Sequence, residues 1–343
     1  MHGVLSRLAG WVGFNKGAVG KRGMPLLLAS IAIAVGAADQ ARGLIIDPTF
    51  ASSITSLPNA ARWESALNYA MGQFETDFTD PITINIIFQA NPGTSIFGQS
   101  SANGQFVGGY STLKSLLAAD AKSANDAIAV ANLPAVDPTN GANYLVMTAQ
   151  AKALGVLAAN NPANDGSVTI GSGYNWTFDP NNRAVAGEYD FIGVAEHEIS
   201  EVMGRYGTAN TGGNFGPLDL FGYAFGPGGT GTGTLDLAAN QANNYFCIDG
   251  GKTALKLYND HANGEDDKDW GSGSNDAFNA FSSSGVENNM SALDIEEMDV
   301  IGYDVAVPEP ASVGMLAVCG LALVRRRRQE FYSLNHSGRN SLP

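Results

Sequence analysis

The stretch from Phe191 to Tyr206 reads FIGVAEHEISEVMGRY, and its spacing decides how the rest of the chain is interpreted. We predict a helix over 191–206. On a helix, His197 and Glu201 lie four residues apart, so their side chains leave from one face. That geometry lets the two side chains hold one metal ion, and both are candidate zinc ligands.

Glu198 supplies the second part of the pattern. It is rotated by about 100° from its neighbour His197 on the helix. It can therefore reach water activated by the metal, as the glutamate of HExxH zinc hydrolases does. Zinc lowers the pKa of its water, and a nearby carboxylate can take the proton during attack on an amide carbonyl. Glu198 is therefore the candidate catalytic general base.

Glu201 stands where the HExxH pattern has its second histidine. Glutamate is a competent zinc ligand at about 2.0–2.2 Å, but it adds negative charge and makes the bound water less acidic. HExxE alone is also a weak pattern. The alternative interpretation is an amphipathic helix whose acids are solvated and whose His197 belongs to the core.

A third ligand is harder to identify, because His197 and His261 are the only histidines between residues 39 and 307. A site of three histidines is thus excluded within that range, and carboxylates must contribute. Asp219 is one candidate, since an aspartate within an apolar run needs a partner if it is buried. His261 is the other candidate. Their alternatives are a turn or cap aspartate and a solvent-exposed loop histidine.

The first 38 residues are expected to direct export. They contain basic residues but no acid, then an apolar run from Pro25 to Val35, then the small residues 36–38. This order is typical of a secretory signal peptide. A buried N-terminal helix is the alternative.

The other end carries Pro308-Glu309-Pro310, an apolar stretch over 311–324 and four arginines over 325–328. The apolar stretch is shorter than the roughly 20 residues of a stable membrane span, and the arginines would stay on the cytoplasmic side. The order resembles a PEP-CTERM tail over 308–328. That resemblance implies sorting machinery, transient inner-membrane association and a final location at the cell envelope, at the surface or outside. An ordinary tail anchor is the alternative, and 329–343 is an extension of unknown role.

Composition limits the partners. The chain has 343 residues, a formal net charge of −14 and only 15% charged residues. Removing both ends removes far more basic than acidic residues, which leaves 39–307 still more acidic. Nucleic acid is excluded as a main partner, because phosphate binding needs clustered lysine and arginine. Two cysteines cannot build a disulfide-stapled scaffold.

Periodicity predicts a single α+β domain over 39–307. The expected elements are helices over 62–75, 111–130 and 143–158, a strand over 81–88, a loop or edge hairpin over 93–110, and a hairpin or edge strand over 166–178. The second half is rich in loops until a closing helix, which starts at Ser291 with a capping-box-like pattern and ends at Gly302.

The motif and its surroundings resemble a bacterial metalloprotease family with PEP-CTERM tails, whose motif helix reads HEISEVMGR. The resemblance extends to 63–67, 78–84, 218–223, 245–252 and 291–303. The family is distantly similar to metzincins. The resemblance implies a metzincin-like catalytic domain with a mixed sheet and an active-site helix. It also implies a zinc-dependent endopeptidase that acts on proteins or peptides.

The resemblance to metzincins has gaps. Gly204 matches the glycine of their HExxHxxGxxH pattern, but Gly207 stands at the position of the third histidine. Met290 is the candidate for their methionine turn, with Met298 as a weaker one. A non-catalytic exported surface or matrix protein with a degraded site is therefore the alternative function. The acidic loop 260–269 could bind calcium, although it lacks the EF-hand pattern and a solvated loop is the simpler interpretation.

Overall fold

A computed structural model describes residues 43–207, 213–226, 232–238, 241–271 and 275–306. The expected signal peptide (1–38), sorting segment (308–328) and extension (329–343) lie outside these residues. Within them, no helix has the length and apolar character needed to cross a membrane.

The described residues form a mixed α+β structure, as expected. The helices are α1 (Ser52–Thr55), α2 (Ala60–Asp77), α3 (Tyr110–Asp120), α4 (Ala124–Asn132), α5 (Thr148–Ala153), α6 (Phe191–Val202) and α7 (Ala292–Val300), with 3-10 helices at Pro217–Phe221 and His261–Asn263. The strands are β1 (Ile45–Phe50), β2 (Thr83–Asn91), β3 (Gly98–Ala102), β4 (Gly104–Gly108), β5 (Asn143–Met147), β6 (Gly166–Gly171), β7 (Trp176–Thr177), β8 (Tyr189–Asp190), β9 (Asn214–Phe215), β10 (Gly222–Ala224), β11 (Thr234–Leu235), β12 (Asn244–Phe246) and β13 (Lys256–Leu257).

The main sheet has the strand order β1-β2-β6-β3. Strands β1, β2 and β6 are parallel, whereas β3 runs antiparallel to β6 at one edge. Along β2, buried residues alternate with half-buried ones, because successive side chains of a strand point to opposite faces. The strand expected over 81–88 is confirmed.

Helices α2 and α6 pack together beside this sheet. Trp63 of α2 meets Phe191 of α6 edge-on, with ring centroids 4.8 Å apart. The helix expected over 62–75 is confirmed as the longer α2. Helix α6 also lies against β6, where a Cβ on Gly166 would come within 2.7 Å of Val202 Cγ1. The missing side chain at Gly166 therefore allows the helix to approach the sheet.

The single helix expected over 111–130 is wrong, because the chain forms two helices there. Ser123 caps α4: its hydroxyl accepts the N–H of Asp126 at 2.9 Å, and the Asp126 carboxylate accepts the N–H of Ser123 at 3.0 Å. This capping box starts a new helix inside an otherwise helical pattern.

Two further expectations are also wrong. Residues 143–158 begin with strand β5, in which Tyr144 and Val146 are fully buried, and only the short α5 is helical. Aromatic and β-branched residues favour a half-buried strand at this place. Residues 166–178 begin with β6, which is an interior strand of the main sheet rather than an edge strand.

The second half has a small sheet and a closing helix. The sheet order is β11-β10-β12-β13, and its pairs are antiparallel. Ser291 caps α7 through the expected capping box with Asp294. After α7, the hydroxyl of Tyr303 donates to the carbonyl of Met203 at 2.5 Å. This bond ties the end of the domain to the end of α6.

Candidate functional site

Three side chains that could hold a metal ion meet where α6 approaches the second half of the chain. They are His197, Glu201 and Asp269, and one ligand atom from each lies within 4.8 Å of the other two. His197 Nε2 is 3.4 Å from Glu201 Oε1 and 3.4 Å from Asp269 Oδ1. We call these residues the ligand group. It is the one such group among the described residues.

The carboxylates of the motif are not solvated. Glu198 and Glu201 are only 6% and 7% exposed, which argues against the alternative of an amphipathic helix with solvated acids. Helix α6 is held by its apolar residues, since Ile199 and Val202 are fully buried. Burial of charged groups is costly unless they are paired or bind a metal.

The backbone of Ala277 fixes the orientation of His197. The carbonyl oxygen of Ala277 lies 2.9 Å from His197 Nδ1. Because a carbonyl only accepts, Nδ1 carries the proton that it donates there. The other nitrogen, Nε2, then faces the two carboxylates. A histidine that binds a metal is commonly fixed by such a contact.

Strand β3 fixes Glu201. The hydroxyl of Ser100 donates to Glu201 Oε2 at 2.7 Å, while Oε1 is the oxygen nearest to His197. One carboxylate oxygen is thus hydrogen-bonded, and the other is directed into the ligand group. The Ser100 contact was not anticipated from the sequence, because β3 is distant from α6 along the chain.

A buried arginine supports the third member of the group. Arg205 Nη1 donates to Asp269 Oδ1 at 2.6 Å, and Arg205 Nε donates to the Ser200 hydroxyl at 2.7 Å. The guanidinium also lies 4.4 Å from the centre of the Phe278 ring and 3.6 Å from Glu201 Oε1. Arg205 therefore contacts the parts of the chain that supply both carboxylates.

Asp269 is held in place by its neighbour in the sequence. The indole N–H of Trp270 donates to Asp294 Oδ1 of α7 at 2.6 Å, and the Trp270 backbone N–H donates to the carbonyl of Phe278 at 2.8 Å. Trp270 is fully buried. This anchor brings the end of the acidic loop 260–269 to the ligand group. In the sequence, Asp269 was part of the candidate calcium loop and not a candidate zinc ligand.

The structure does not place Asp219 in the ligand group. Asp219 is fully buried in the 3-10 helix Pro217–Phe221, where its Oδ2 accepts the N–H of Gly216 at 2.7 Å. That contact is the cap role considered as its alternative.

His261 is also outside the ligand group. Its Nδ1 lies 2.9 Å from Asp267 Oδ1, and its side chain is 51% exposed, in agreement with the loop histidine considered as the alternative. At Gly207, a Cβ would lie 2.7 Å from Lys268 Cγ. The position of the third metzincin histidine is therefore closely packed here. The methionine-turn candidates are a half-buried Met290 and a fully buried Met298.

A cavity of about 550 Å³ opens at the ligand group, and Glu198 lies on its wall. The Glu198 carboxylate sits against the backbone of β3. A Cβ on Gly98 would be only 2.2 Å from Glu198 Oε1, so a side chain at Gly98 would displace this carboxylate. The candidate base thus lines the same cavity as the ligand group.

Electrostatics within the group favour a bound cation. Burial raises the pKa of Glu198 well above its usual value, and the charge of Glu201 adds to that rise. Burial also opposes ionisation of Glu201, but His197 lowers the Glu201 pKa to about 2. Burial opposes protonation of His197, but the carboxylates of Asp269 and Glu201 raise the His197 pKa to about 10. The carboxylates of Asp269 and Glu201 thus favour a positive charge between them, and a proton on His197 is enough to supply it.

The donor set fits zinc in chemistry and spacing. One imidazole nitrogen and two carboxylate oxygens are common zinc donors, and three protein ligands leave a fourth position open. Two atoms bound to zinc at about 2.0–2.2 Å with a tetrahedral angle lie about 3.3–3.6 Å apart. The distance of 3.4 Å from His197 Nε2 to each carboxylate oxygen falls in this range.

Two other acids of the loop 260–269, Asp260 and Asp267, have local partners. Asp260 Oδ1 accepts the N–H of Ala262 at 2.9 Å, and Asp267 contacts His261. Apart from Asp269, the described residues of this loop join no group of three metal-binding side chains. Calcium binding stays a prediction.

Comparison of the chain with known proteins identifies no relative. No protein-family model matches the chain, and neither the curated proteins nor the solved structures contain a significant match.

Proposed function

We propose that this chain is an exported, zinc-dependent endopeptidase with a metzincin-like fold. The observation that carries the proposal is the ligand group, in which half-buried His197 meets buried Glu201 and Asp269, with Glu198 on the wall of the same open cavity. A mixed sheet, a motif on a buried helix and a loop-rich second half support the metzincin-like arrangement.

In this proposal, each residue has one role. His197, Glu201 and Asp269 would hold the zinc, which would acidify water and polarise the carbonyl of the scissile bond. Glu198 takes a proton from the attacking water and passes it to the departing amine nitrogen. Its buried position in contact with β3 keeps the carboxylate directed at the cavity.

The free edge of β3 supports an extended peptide as substrate. In the described part of the chain, β3 pairs with β6 on one side and has no strand on the other. An extended peptide can add to such an edge through backbone hydrogen bonds. The cavity follows β3 from Gly98 to Ser100, and a second cavity of about 340 Å³ continues from Ser100 towards Leu145 and Met147. The two cavities together border the length of β3.

The alternative is a non-catalytic exported surface or matrix protein. Glu201 in place of histidine and the closely packed Gly207 favour it. The burial of the ligand group favours the enzyme, because retaining charged groups there without a ligand would destabilise the domain.

For location, we propose that the signal peptide and the sorting segment are removed and that 39–307 acts at the cell envelope, at the surface or outside. The sorting machinery would then be a transient partner.

The test uses the purified exported protein, its zinc content and its cleavage of an unfolded protein such as casein. We expect His197→Ala to lose zinc and cleavage, and Glu198→Gln to keep zinc but lose cleavage. Glu64→Gln on α2, outside both cavities, is the matched control and should change neither. Cleavage by Glu198→Gln at the wild-type rate would refute the mechanism.

A further inference from the structure

Three aromatic rings form one side of the cavity at the ligand group. They belong to Phe97, Tyr174 and Tyr189, and we call them the aromatic wall. The Phe97 ring centroid is 4.9 Å from that of Tyr174 and 4.9 Å from that of Tyr189, with both pairs edge-on. The Tyr174 and Tyr189 rings are 5.9 Å apart, also edge-on. Each ring therefore supports the other two.

The aromatic wall is held from behind. Trp176 is nearly buried, and its ring lies 5.0 Å from Phe97 and 5.6 Å from Tyr174. The hydroxyl of Tyr174 donates to the carbonyl of Thr94 at 2.8 Å. Rings fixed in this way lose little freedom when a ligand packs on them, so the wall is organised before binding.

The wall is next to the candidate general base. Phe97 directly precedes Gly98, against which the Glu198 carboxylate lies. Ala277 and Ala280 line the same cavity with small side chains. Space therefore exists in front of the wall, close to the atoms that would act on a substrate.

The chemistry of the cavity selects among side chains. An apolar or aromatic side chain gains from packing on aromatic rings. Among the described residues that line the cavity there is no lysine or arginine, whereas Glu265 and Asp266 lie on it. Outside the ligand group, an acidic substrate side chain would therefore meet no lysine or arginine among these described lining residues.

We infer that the aromatic wall is a subsite for a bulky apolar or aromatic side chain of the peptide, next to the bond that is cut. This inference deepens the proposed function and rests on it. A ring cluster that only stabilises the fold is the competing explanation, and the two differ in binding.

The experiment measures binding in the full-length chain carrying Glu198→Gln, so that cleavage does not remove the ligand. The probes are unstructured peptides that are identical except for one central position, which is Phe, Leu, Ala or Asp. Burial of a Phe side chain predicts binding about ten- to a hundredfold tighter than for the Ala peptide. The Asp peptide should bind no better than the Ala peptide.

Three variants separate a subsite from a structural cluster. Tyr174→Ala should reduce the preference for the Phe peptide at least fivefold. Ala280→Trp, which adds a bulky ring to the lining of the same cavity without removing a wall ring, should also abolish it. Tyr69→Ala, an exposed ring on α2 outside the cavity, is the control and should keep the preference. Thermal unfolding of each variant identifies a loss caused by misfolding, and Ala280→Trp decides the result if Tyr174→Ala does not fold.

The outcomes also separate this inference from the proposed function. Equal binding of the Phe and Ala peptides, absence of binding by both, or a preference that survives Ala280→Trp would overturn the subsite. If the chain prefers the Phe peptide but cuts no protein, the subsite is supported and the proposed peptidase activity is refuted. If the chain cuts proteins but binds the Phe and Ala peptides equally, the peptidase activity is supported and the subsite is refuted.

Discussion

Replacing Asp269 with Asn is the most direct test of the ligand group. The change keeps the shape of the side chain but removes its charge. It leaves His197 and Glu201 as the only two charged or imidazole ligands. Loss of a group that only orients a ligand costs about 10–100-fold in metal affinity, so loss of a ligand should cost more than about 100-fold. By the usual conversion, this exceeds about 2.7 kcal/mol of binding free energy.

The same change should also destabilise the protein without zinc. Asp269 is the 2.6 Å partner of Arg205, and both side chains are buried. Breaking a buried ion pair from one side costs about 3–5 kcal/mol, because the remaining charge is uncompensated. For a domain of this size, each kcal/mol lowers Tm by about 2–4 °C. We therefore expect a fall in Tm of about 6–20 °C.

The assay is competition for zinc with a chromophoric chelator, followed by thermal unfolding with and without zinc. Asp219→Asn is the matched control, because it makes the same change at a buried aspartate outside the ligand group, and it should keep wild-type zinc affinity. Zinc affinity within threefold of wild type in Asp269→Asn, with a large loss in Asp219→Asn, would show that the wrong aspartate has been assigned.

Two other predictions test the surroundings of the site, and a third concerns Asp80, a buried aspartate that contacts Asp304 elsewhere in the domain. Ser100→Ala should weaken zinc binding about 10–100-fold by freeing a ligand oxygen, while the same change at exposed Ser101 should not; equal effects would contradict the role of this hydroxyl. Gly98→Ala should lower cleavage about a hundredfold at unchanged zinc affinity, because the added methyl group displaces Glu198. Gly109→Ala is the control, since the space around Gly109 is open. A fully active Gly98→Ala enzyme would be evidence against this geometry. Burial raises the pKa of Asp80 from 3.8 to about 7, so its contribution to stability is present below pH 3.8 and is lost as pH rises through 7. Chemical unfolding between pH 4.5 and 8 should show that Asp80→Asn removes up to about 3 kcal/mol of this decline; an unchanged slope would be the contrary result.

The part of the fold that the sequence predicted follows from local periodicity. The strand around Ile84 and the helix around Trp63 have one buried face each, and the pattern of their apolar residues reveals it. The stretch at Tyr144 lies within the helix predicted over 143–158, but it forms strand β5. It is a strand because it pairs with β4, which comes earlier in the chain, and with β9, which comes much later. Local periodicity contains no information on such partners.

The residues of the candidate site also fall into those that local spacing predicts and those that it does not. His197 and Glu201 are brought together by one turn of helix, so their spacing was visible in the sequence. Asp269 reaches them only because Trp270 is anchored to α7 and to the backbone of Phe278. In the sequence, Asp269 is one acid among several in a polar loop. The tryptophan beside it was the available signal, since a large apolar residue at the end of an acidic loop indicates that the loop returns to the core.

Arg205 alters the charge balance around Glu201, which stands where the HExxH pattern has its second histidine. A zinc site with two histidines and one carboxylate, which is a common catalytic set, has a total charge of +1 with the metal. His197, Glu201 and Asp269 with zinc would have a total charge of zero, but the guanidinium in contact with Asp269 restores +1. The extra carboxylate therefore need not make the water less acidic. In charge, the pair of Glu201 and Arg205 equals one neutral histidine, so we expect zinc binding to tolerate replacement of both residues together better than replacement of either one.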